Sequence, residues 1–286
     1  MNRMPRISSL LSVALLLSLA GTASALGAAP DPVWFGADGK PLPFDSHEDA
    51  VEFLRAATVI DSEEIGGSQN HPLRVLLEKD GVRARAVFRS VRRTWQREWV
   101  RGTWQVHLID RASSERGAYV VARMLGFDNI PPTVLRKIGG RQGSLQLWLE
   151  GVDSVAGLSE SRGNVPERWT EQMSAIWAFD NLVFNVDRHP GNLLIGADGT
   201  VWMIDHTQAF QYNKRLLDID NVMSIPQTMW ERLQTIPDSA FEEALAGALN
   251  GTQVGALLAR RKRMVERIQG LIAERGEQPV VRRPTR

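Results

Sequence analysis

The chain has 286 residues, 43% hydrophobic and 23% charged, a composition that is ordinary for a globular protein and excludes a mostly disordered chain. Its 34 basic and 33 acidic residues leave it close to neutral, which excludes the marked basic excess of a general nucleic-acid-binding protein. The absence of cysteine excludes disulfides and cysteine-ligated zinc, and it suits an oxidising compartment.

Residues 1–25 have the pattern of a secretory signal peptide. Arg3 and Arg6 give a positive start, and an Ala-Ser-Ala sequence ending at Ala25 fits a cleavage site. The apolar stretch 10–20 between them is shorter than the roughly 20 residues of a membrane-spanning helix. We therefore predict a periplasmic or secreted protein cut near Ala25, with an uncleaved N-terminal anchor as the alternative. No stable membrane span is expected after cleavage.

Residues 26–60 are predicted to form an N-terminal leader and one short helix. Residues 26–45 are rich in Gly, Ala, Pro and Asp and show little periodicity. Ser46 is a favourable N-cap for a helix over Glu48 to Ala57, in which apolar residues recur at helical spacing.

The segment that follows predicts antiparallel strands. Residues 73–77 and 82–88 alternate in polarity on either side of an Asp-Gly turn. Gly67 and Ser68 precede the first strand, where backbone N–H groups can approach phosphates, although an ordinary turn explains them equally well. A second hairpin is predicted from Thr133–Ile138 and Ser144–Glu150.

Two helical patterns flank the second hairpin. One begins at Glu115 and ends at Gly126, because glycine is favoured just after the last helical residue. The other begins near Pro166 and leads toward Asp187.

Three more helices are predicted toward the C-terminus, over residues 216–223, 241–249 and 256–273. The basic run Arg260–Arg263 is interpreted as the solvated face of the last helix. Residues 277–286 form a basic tail.

The segment from Asp187 to Asp205 reads DRHPGNLLIGADGTVWMID. Two short apolar runs around an Asp-Gly turn predict a hairpin, whose outer ends would bring Asp187, Asn192 and Asp205 together. Phosphoryl transfer needs a carboxylate that orients the attacking hydroxyl and oxygen ligands for a divalent cation. Asp, Asn and His are also common turn residues, so a solvated loop is the alternative for any one of them. The joint pattern favours a site for ATP with Mg²⁺ or Mn²⁺.

These motifs resemble the catalytic domain of the phosphatidylinositol 3-/4-kinase-like superfamily, in an exported bacterial branch that reads DR(H/N)xGN and then IDH(T/S)xAF. The resemblance covers about residues 60–275, with ERGAY, MLGFDNIPPTV and SLQLWLEG matching the family's N-lobe. It implies an α+β, two-lobed protein-kinase-like fold, with a small β-rich N-lobe over 61–150 and a mostly helical C-lobe over 151–276. The length allows two such units at about 100 to 200 residues per domain.

The resemblance also implies roles for the central motif. Asp187 would be the catalytic base, and Arg188 would brace the loop. His189 would contact the transferred phosphoryl group or share the base role, with a structural histidine as the alternative. Asn192 and Asp205 would bind Mg²⁺ or Mn²⁺.

In the N-lobe, the resemblance places Arg89 where the family has a lysine that contacts the α- and β-phosphates. Glu115 would pair with that cation, or it is a solvated first-turn residue favoured by the helix dipole. Residues near 147–149 would meet the adenine. Arginine and lysine are not interchangeable at a tight phosphate site, so this departure puts turnover in question. A shifted alignment would give the role to Arg85 or Lys79.

The sequence therefore predicts an ATP- and divalent-metal-dependent phosphotransferase that acts on a hydroxyl acceptor outside the cytoplasm. The acceptor class is open, because fold does not determine chemistry. One alternative is a nucleotide-binding pseudokinase or scaffold, motivated by Arg89 and by the scarcity of ATP outside the cytoplasm. Another is an adenylyl transferase on the same fold. The predicted partners are a nucleotide and an unknown hydroxyl-bearing substrate, without nucleic acid.

Overall fold

The structure is a computed structural model that describes residues 34–66, 70–100, 103–157 and 168–283. The predicted signal peptide, Gly67, Ser68, Pro166 and the last three residues of the basic tail lie outside these ranges.

Five antiparallel strands form one sheet in the N-terminal part, in the order β1-β2-β3-β7-β6. The strands are β1 Thr58–Glu64, β2 Leu73–Lys79, β3 Val82–Arg89, β6 Thr133–Ile138 and β7 Arg141–Leu147. The predicted alternation is confirmed, since Val75, Leu77, Ala84 and Ala86 are completely buried. The turn between β2 and β3 uses two residues with positive φ, Asp80 and Gly81, as tight hairpin turns require.

The second hairpin differs from its predicted bounds. Strand β7 begins at Arg141 and ends at Leu147, whereas Ser144–Glu150 was predicted. The turn is tighter than expected because Gly139 and Gly140 both adopt positive φ, so that pairing resumes at once with Ile138 opposite Arg141.

A separate two-stranded sheet, absent from the sequence predictions, follows β3. It consists of β4 Arg92–Val100 and β5 Thr103–Arg111, which pair antiparallel. Most residues of β4 are exposed, so the segment lacks the apolar and polar alternation by which a half-buried strand is recognised. We call it the aromatic hairpin, after Trp95, Trp99 and Trp104.

Two helices pack beside the sheet. Helix α1, His47–Ala56, starts as predicted at the N-cap Ser46, whose hydroxyl accepts a hydrogen bond from the Asp49 N–H. Helix α2, Ala112–Leu125, begins three residues before the predicted Glu115 and ends at Gly126 with φ of 85°.

The C-terminal part is mainly helical. Its helices are α3 Trp169–Val183, α4 Gln227–Thr235, α5 Asp238–Ala244 and α6 Gly251–Arg275. Its short strands are β8 Asp153–Ser154, β9 Leu193–Ile195, β10 Val201–Met203, β11 Ile225–Pro226 and β12 Val281–Arg282. Helix α6 starts at a capping box in which Asn250 and Gln253 bond each other's backbone N–H groups. No helix in the described ranges is long and apolar enough to span a membrane.

The predicted helix over 216–223 is wrong, because that region holds only a 3₁₀ turn at Ile219–Asn221. Two side chains bond its backbone instead. The Asp218 N–H donates to Asn181 Oδ1 at 2.7 Å, and Arg267 donates to the Val222 carbonyl at 3.3 Å. Helix α5 starts and ends earlier than the predicted 241–249.

The interpretation of Arg260 as a solvated residue is also wrong. Its side chain is completely buried, and it donates hydrogen bonds to the carbonyls of Leu182, Gln211 and Asn213. Burial lowers the pKa of Arg260 to about 9. Because Leu182 lies in the last turn of α3, its carbonyl has no partner within the helix, and Arg260 supplies one.

Candidate active site

The hairpin of β9 and β10 is confirmed, with Leu193 to Ile195 paired antiparallel to Val201 to Met203. Gln172 of α3 holds it in place, since its side chain bonds the Gly199 carbonyl at 2.9 Å and the Val201 N–H at 2.8 Å. At the open end, the Ile204 N–H donates to the Asn192 carbonyl at 3.2 Å. The hairpin therefore places Asn192 and Asp205 side by side.

Arg188 braces the loop that leads into this hairpin. Its guanidinium donates two bonds to Asp180 of α3, at 2.9 and 3.2 Å, and both side chains are only 1% exposed. The same guanidinium reaches the carbonyls of Asn192 and Ile204, each at 2.8 Å. One buried cation thus ties helix α3 to both chain segments at the open end of the hairpin.

Asp187 lies at the edge of the cleft, partly exposed, beside this braced loop. The Asn192 side chain donates to its backbone carbonyl at 2.9 Å. Burial raises the pKa of the Asp187 carboxyl, and the negative charge of Asp205 raises it further. Asp187 is therefore a stronger base than an ordinary solvated aspartate.

The groups around Asn192 and Asp205 fit a hard divalent cation. The Asn192 amide nitrogen donates to the Asp187 carbonyl, which leaves its Oδ1 as an acceptor, and one Asp205 oxygen accepts the Thr207 hydroxyl at 3.1 Å. Oxygen ligands of this kind suit Mg²⁺ and Mn²⁺. Within the described ranges, no group of three His, Cys, Asp or Glu side chains is placed to hold a metal ion.

The backbone of Asp205 is strained. Its φ of 56° lies in the left-handed region, which non-glycine residues seldom adopt. Such outliers persist where surrounding structure enforces them, and they concentrate at functional sites.

Arg89, at the end of β3, is buried between two carboxylates. Its Nε lies 3.7 Å from Glu115 Oε1, and its Nη2 lies 4.0 Å from Asp205 Oδ2. Burial alone would raise the pKa of Glu115, but Arg89 and then His206 hold that pKa below its usual value. Burial opposes the charge of Arg89 as well, yet Asp205, Glu115 and Asp110 together raise its pKa. The cation and the helix carboxylate are thus mutually stabilised.

The structure places the two alternative cations elsewhere. Arg85 donates two bonds to Glu150, at 2.6 and 2.5 Å, and ties β3 to the segment after β7. Lys79 pairs with its neighbour Asp80 at the far end of β2. Of these three cations, only Arg89 lines the cleft.

His206 is a component that the sequence analysis did not assign. It is completely buried, with Nε2 at 2.8 Å from Arg188 Nη2 and Nδ1 at 3.7 Å from Glu115 Oε2. Because arginine only donates, Nε2 must accept, and in the neutral ring the proton then sits on Nδ1 facing Glu115. In the sequence, the only signal for this role was the position of His206 directly after Asp205.

Asp110, at the end of β5, is a second residue that was missed. It is 1% exposed, accepts a bond from the Asn70 amide at 3.1 Å and lines the cleft. Burial raises its pKa, and the charge of Asp205 adds to that effect. No local pattern marked it, because its strand was not predicted.

His189 is exposed and lines the cleft. Its Nδ1 accepts a bond from the Gly191 N–H at 3.1 Å, which is the local structural role considered as the alternative. The predicted contact of His189 with the transferred phosphoryl group, or its share in the base role, stays a prediction. Gly67 and Ser68 lie outside the described residues, so their predicted phosphate contact stays a prediction as well.

One cleft of about 1210 Å³ lies between the sheet and the helical part, and its lining includes Arg89, Asp110, Asp187, Arg188, His189, Asn192 and Asp205. One end is apolar and is lined by Val87, Leu147, Leu149, Leu194 and Ile204. The other end is formed by the aromatic hairpin, through Trp95, Glu98 and Trp99. The cleft is at least as large as the roughly 300 to 1,000 Å³ of typical ligand pockets.

No known protein-family model matches the chain. Protein Rv2133c of Mycobacterium tuberculosis is 24% identical over 195 residues, which are 54% of this chain and 69% of that protein.

Solved structures share the fold at low sequence identity. A structure of hydra Fam20 with sugar has a TM-score of 0.62 at 16% identity and covers 86% of this chain and 95% of that one. The Golgi casein kinase with Mn/ADP bound has a TM-score of 0.58 at 14% identity, with 82% and 78% covered. The predicted fold class is confirmed, whereas the narrower superfamily assignment stays a prediction. The chain has an atypical kinase-like fold, with a sheet-rich N-terminal part and a helical C-terminal part.

Proposed function

We propose that this chain is a kinase-type phosphotransferase that transfers the γ-phosphoryl group of ATP to a hydroxyl acceptor. The observation that carries the proposal is the convergence of Asp187, Asn192 and Asp205 with the Arg89–Glu115 pair around one cleft. The kinase-like fold supports it independently. Asp187, Asn192 and Asp205 come from the helical part and Arg89 comes from the sheet, so a nucleotide between them would contact both.

Asp187 has the position and the basicity to orient the acceptor hydroxyl and take up its proton. General-base assistance of this kind contributes about 10² to 10⁴ in rate. Arg188 keeps Asp187 in place through Asp180, and the Asn192 amide fixes the Asp187 carbonyl.

Arg89 is the group that would contact the phosphates, with Glu115 holding its guanidinium. Asn192 and Asp205 would hold Mg²⁺ or Mn²⁺, which neutralises charge on the phosphate oxygens when bound. The Mn/ADP in the Golgi casein kinase structure supports the use of a nucleotide with a divalent metal. The apolar end of the cleft suits an adenine ring.

One observation favours a second candidate, a module that binds nucleotide without turnover. Arg89 already lies between Glu115 and Asp205, and its planar guanidinium is broader than the ammonium of a lysine. At 3.7 and 4.0 Å the two carboxylates offset the charge of the guanidinium without hydrogen-bonding it, which weakens its attraction for phosphate oxygens.

The predicted signal peptide supports a site of action outside the cytoplasm. The proposal therefore requires both a hydroxyl acceptor and a source of ATP in that compartment.

Labelled ATP separates the candidates. The full chain is produced with export in a bacterial host and incubated with Mn²⁺, an extract of cell envelopes and ATP labelled at either the α- or the γ-phosphate. We expect the γ-label to appear in acceptor material and Asp187→Asn to remove it. Transfer of the α-label indicates an adenylyl transferase, and nucleotide binding without transfer of either label indicates the non-catalytic module.

A further inference from the structure

We propose that the aromatic hairpin is the acceptor-binding element and that the acceptor is a neutral glycan chain. The inference rests on the proposed function, since it takes Asp187 to be the group that receives the acceptor hydroxyl. The residues proposed to bind the acceptor are Trp95 and Trp99 of β4, together with the carboxylates of Glu98, Asp110 and Asp187.

The hairpin is held firmly beside the catalytic loop. The Gln211 side chain bonds both the N–H and the carbonyl of Ile109, each at 2.7 Å, and Arg111 N–H bonds the Thr207 carbonyl at 2.8 Å. Leu108 packs in a small core with Phe184 and Val186, and Trp95 lies against that core. Because Val186 directly precedes Asp187, the tryptophan is positioned next to the predicted base.

The side of the hairpin toward the cleft presents two indoles. Trp95 and Trp99 are four residues apart in one strand, so they share a face and are separated by about 13 Å at 3.3 Å per residue. Both line the cleft, and Trp99 is 56% exposed. Trp99 and Trp104 meet edge to face at 5.2 Å, and the Arg97 guanidinium lies 4.2 Å from the centre of the Trp104 ring. Trp104 does not line the cleft.

Charge narrows the class of acceptor. Glu98, Asp110 and Asp187 line the cleft, while Arg93 lies 5.8 Å from the centre of the Trp95 ring and Arg97 shares the face of Trp95 and Trp99, so the mixed charges favour neither a strongly anionic nor a strongly cationic acceptor. A sugar is neutral, packs its C–H face on an indole ring and donates hydroxyl hydrogen bonds to carboxylates. The separation of the two indoles exceeds a single ring, which favours a chain of sugars over a monosaccharide.

The reaction at this site balances as an ordinary phosphoryl transfer. A sugar hydroxyl oxygen forms a bond to the γ-phosphorus, and the bond from that phosphorus to the β–γ bridging oxygen breaks. The electron pair of the broken bond leaves with ADP, and the hydroxyl proton passes to an Asp187 carboxylate oxygen.

The test follows γ-labelled phosphate from Mn-ATP into a cell-envelope extract of the source organism, separated afterwards into glycan, protein and lipid fractions. We expect the label in the glycan fraction, resistant to protease and recovered as a sugar phosphate after acid hydrolysis. At limiting extract, Trp99→Ala and Trp95→Phe should each lower transfer more than tenfold, while Phe35→Ala, at an exposed aromatic residue that does not line the cleft, stays within twofold of the wild type. Mn-ATP affinity should be the same in all four proteins, which also shows that the variants are folded.

Each other outcome is decisive. Label recovered as phosphoserine or phosphothreonine, or in the lipid fraction, overturns the glycan inference and leaves the kinase proposal standing. An equal loss in Phe35→Ala and Trp99→Ala overturns the specific role of the cleft-lining indoles. Mn-ATP binding without transfer to any fraction overturns the inference, and absence of Mn-ATP binding overturns the proposed function itself.

Discussion

Arg188 donates a hydrogen bond to Nε2 of His206 at 2.8 Å, in a buried contact between the loop that carries Asp187 and the residue after Asp205. The other ring nitrogen, Nδ1, faces Glu115 of α2. The second carboxylate oxygen of Glu115 faces Arg89. The loop that carries Asp187 is thereby connected to the cation that would contact the phosphates. Both contacts to Glu115 measure 3.7 Å, longer than hydrogen bonds, so Glu115 interacts with both groups through charge.

Replacing His206 should slow turnover more than it weakens ATP binding. His206→Phe fills a similar volume but leaves a buried arginine donor and a buried carboxylate without the ring, a loss of about 1 to 3 kcal/mol for each unpaired group. We expect kcat to fall at least tenfold with KM for ATP changed less than threefold. His206→Gln keeps an acceptor for Arg188 and should recover part of kcat. Equal losses in the two variants would show that only packing matters at this position.

The Arg188–Asp180 pair should dominate the stability of the loop. Asp180→Asn keeps the shape but leaves a buried guanidinium without its counter-charge, which costs about 3 to 5 kcal/mol. The matched control is Glu171→Gln, which breaks the exposed Arg168–Glu171 pair and should change the free energy of unfolding by less than about 1 kcal/mol. Urea unfolding measures both, and similar losses would refute the distinction.

His47 should make the protein less stable in mild acid. Burial, and then the charge of Arg123, lowers the pKa of His47 to about 4, while the same group in the unfolded chain titrates near 6.5. The unfolded chain therefore binds a proton first, and the stability present above pH 6.5 is lost as the pH falls toward 4. The loss is on the order of 3 kcal/mol.

The control for this prediction is His47→Phe, which can keep ring contacts with Trp34 and Tyr119. Urea unfolding between pH 7 and pH 4 should give a shallower decline for the variant than for the wild type. Parallel declines would mean that carboxylates alone account for the acid sensitivity.

Arg89 and Glu115 should behave as a coupled pair. Arg89→Met leaves a completely buried carboxylate uncompensated, so we expect a loss of about 3 to 5 kcal/mol in the free energy of unfolding. Adding Glu115→Leu removes the unpaired charge and should restore much of that stability, although not ATP binding. Additive losses in the double-mutant cycle would show that the two side chains do not interact.

Part of this site could be predicted because its signals are local. The Asp-Gly turn and two short apolar runs specify the hairpin, and the hairpin alone brings Asn192 beside Asp205. The alternation of β2 and β3 is equally local, since it reflects one buried face. The position of Arg89 in the cleft came from the family resemblance, because nothing in its neighbourhood distinguished it from Arg85.

The rest depends on contacts between residues far apart in the sequence. Arg260 looked like a surface residue in a basic run, and its role appears only when it meets the Leu182 carbonyl 78 residues away. The aromatic hairpin was missed because its first strand, β4, is mostly exposed and has no periodic apolar face. Asp110 was missed with it, although it lies in the same cleft as Asp187.

The most direct test of the central claim is the affinity of the full chain for Mn-ATP, measured by calorimetry with two aspartate variants of the β9–β10 hairpin. Asp205→Ala removes the proposed metal ligand, whereas Asp198→Asn changes an exposed residue at the opposite end of the hairpin. We predict that Asp198→Asn binds as the wild type does and that Asp205→Ala binds more than about 100-fold more weakly, since even second-shell changes at metal sites cost 10- to 100-fold. Equal affinity in Asp205→Ala and the wild type would contradict the account.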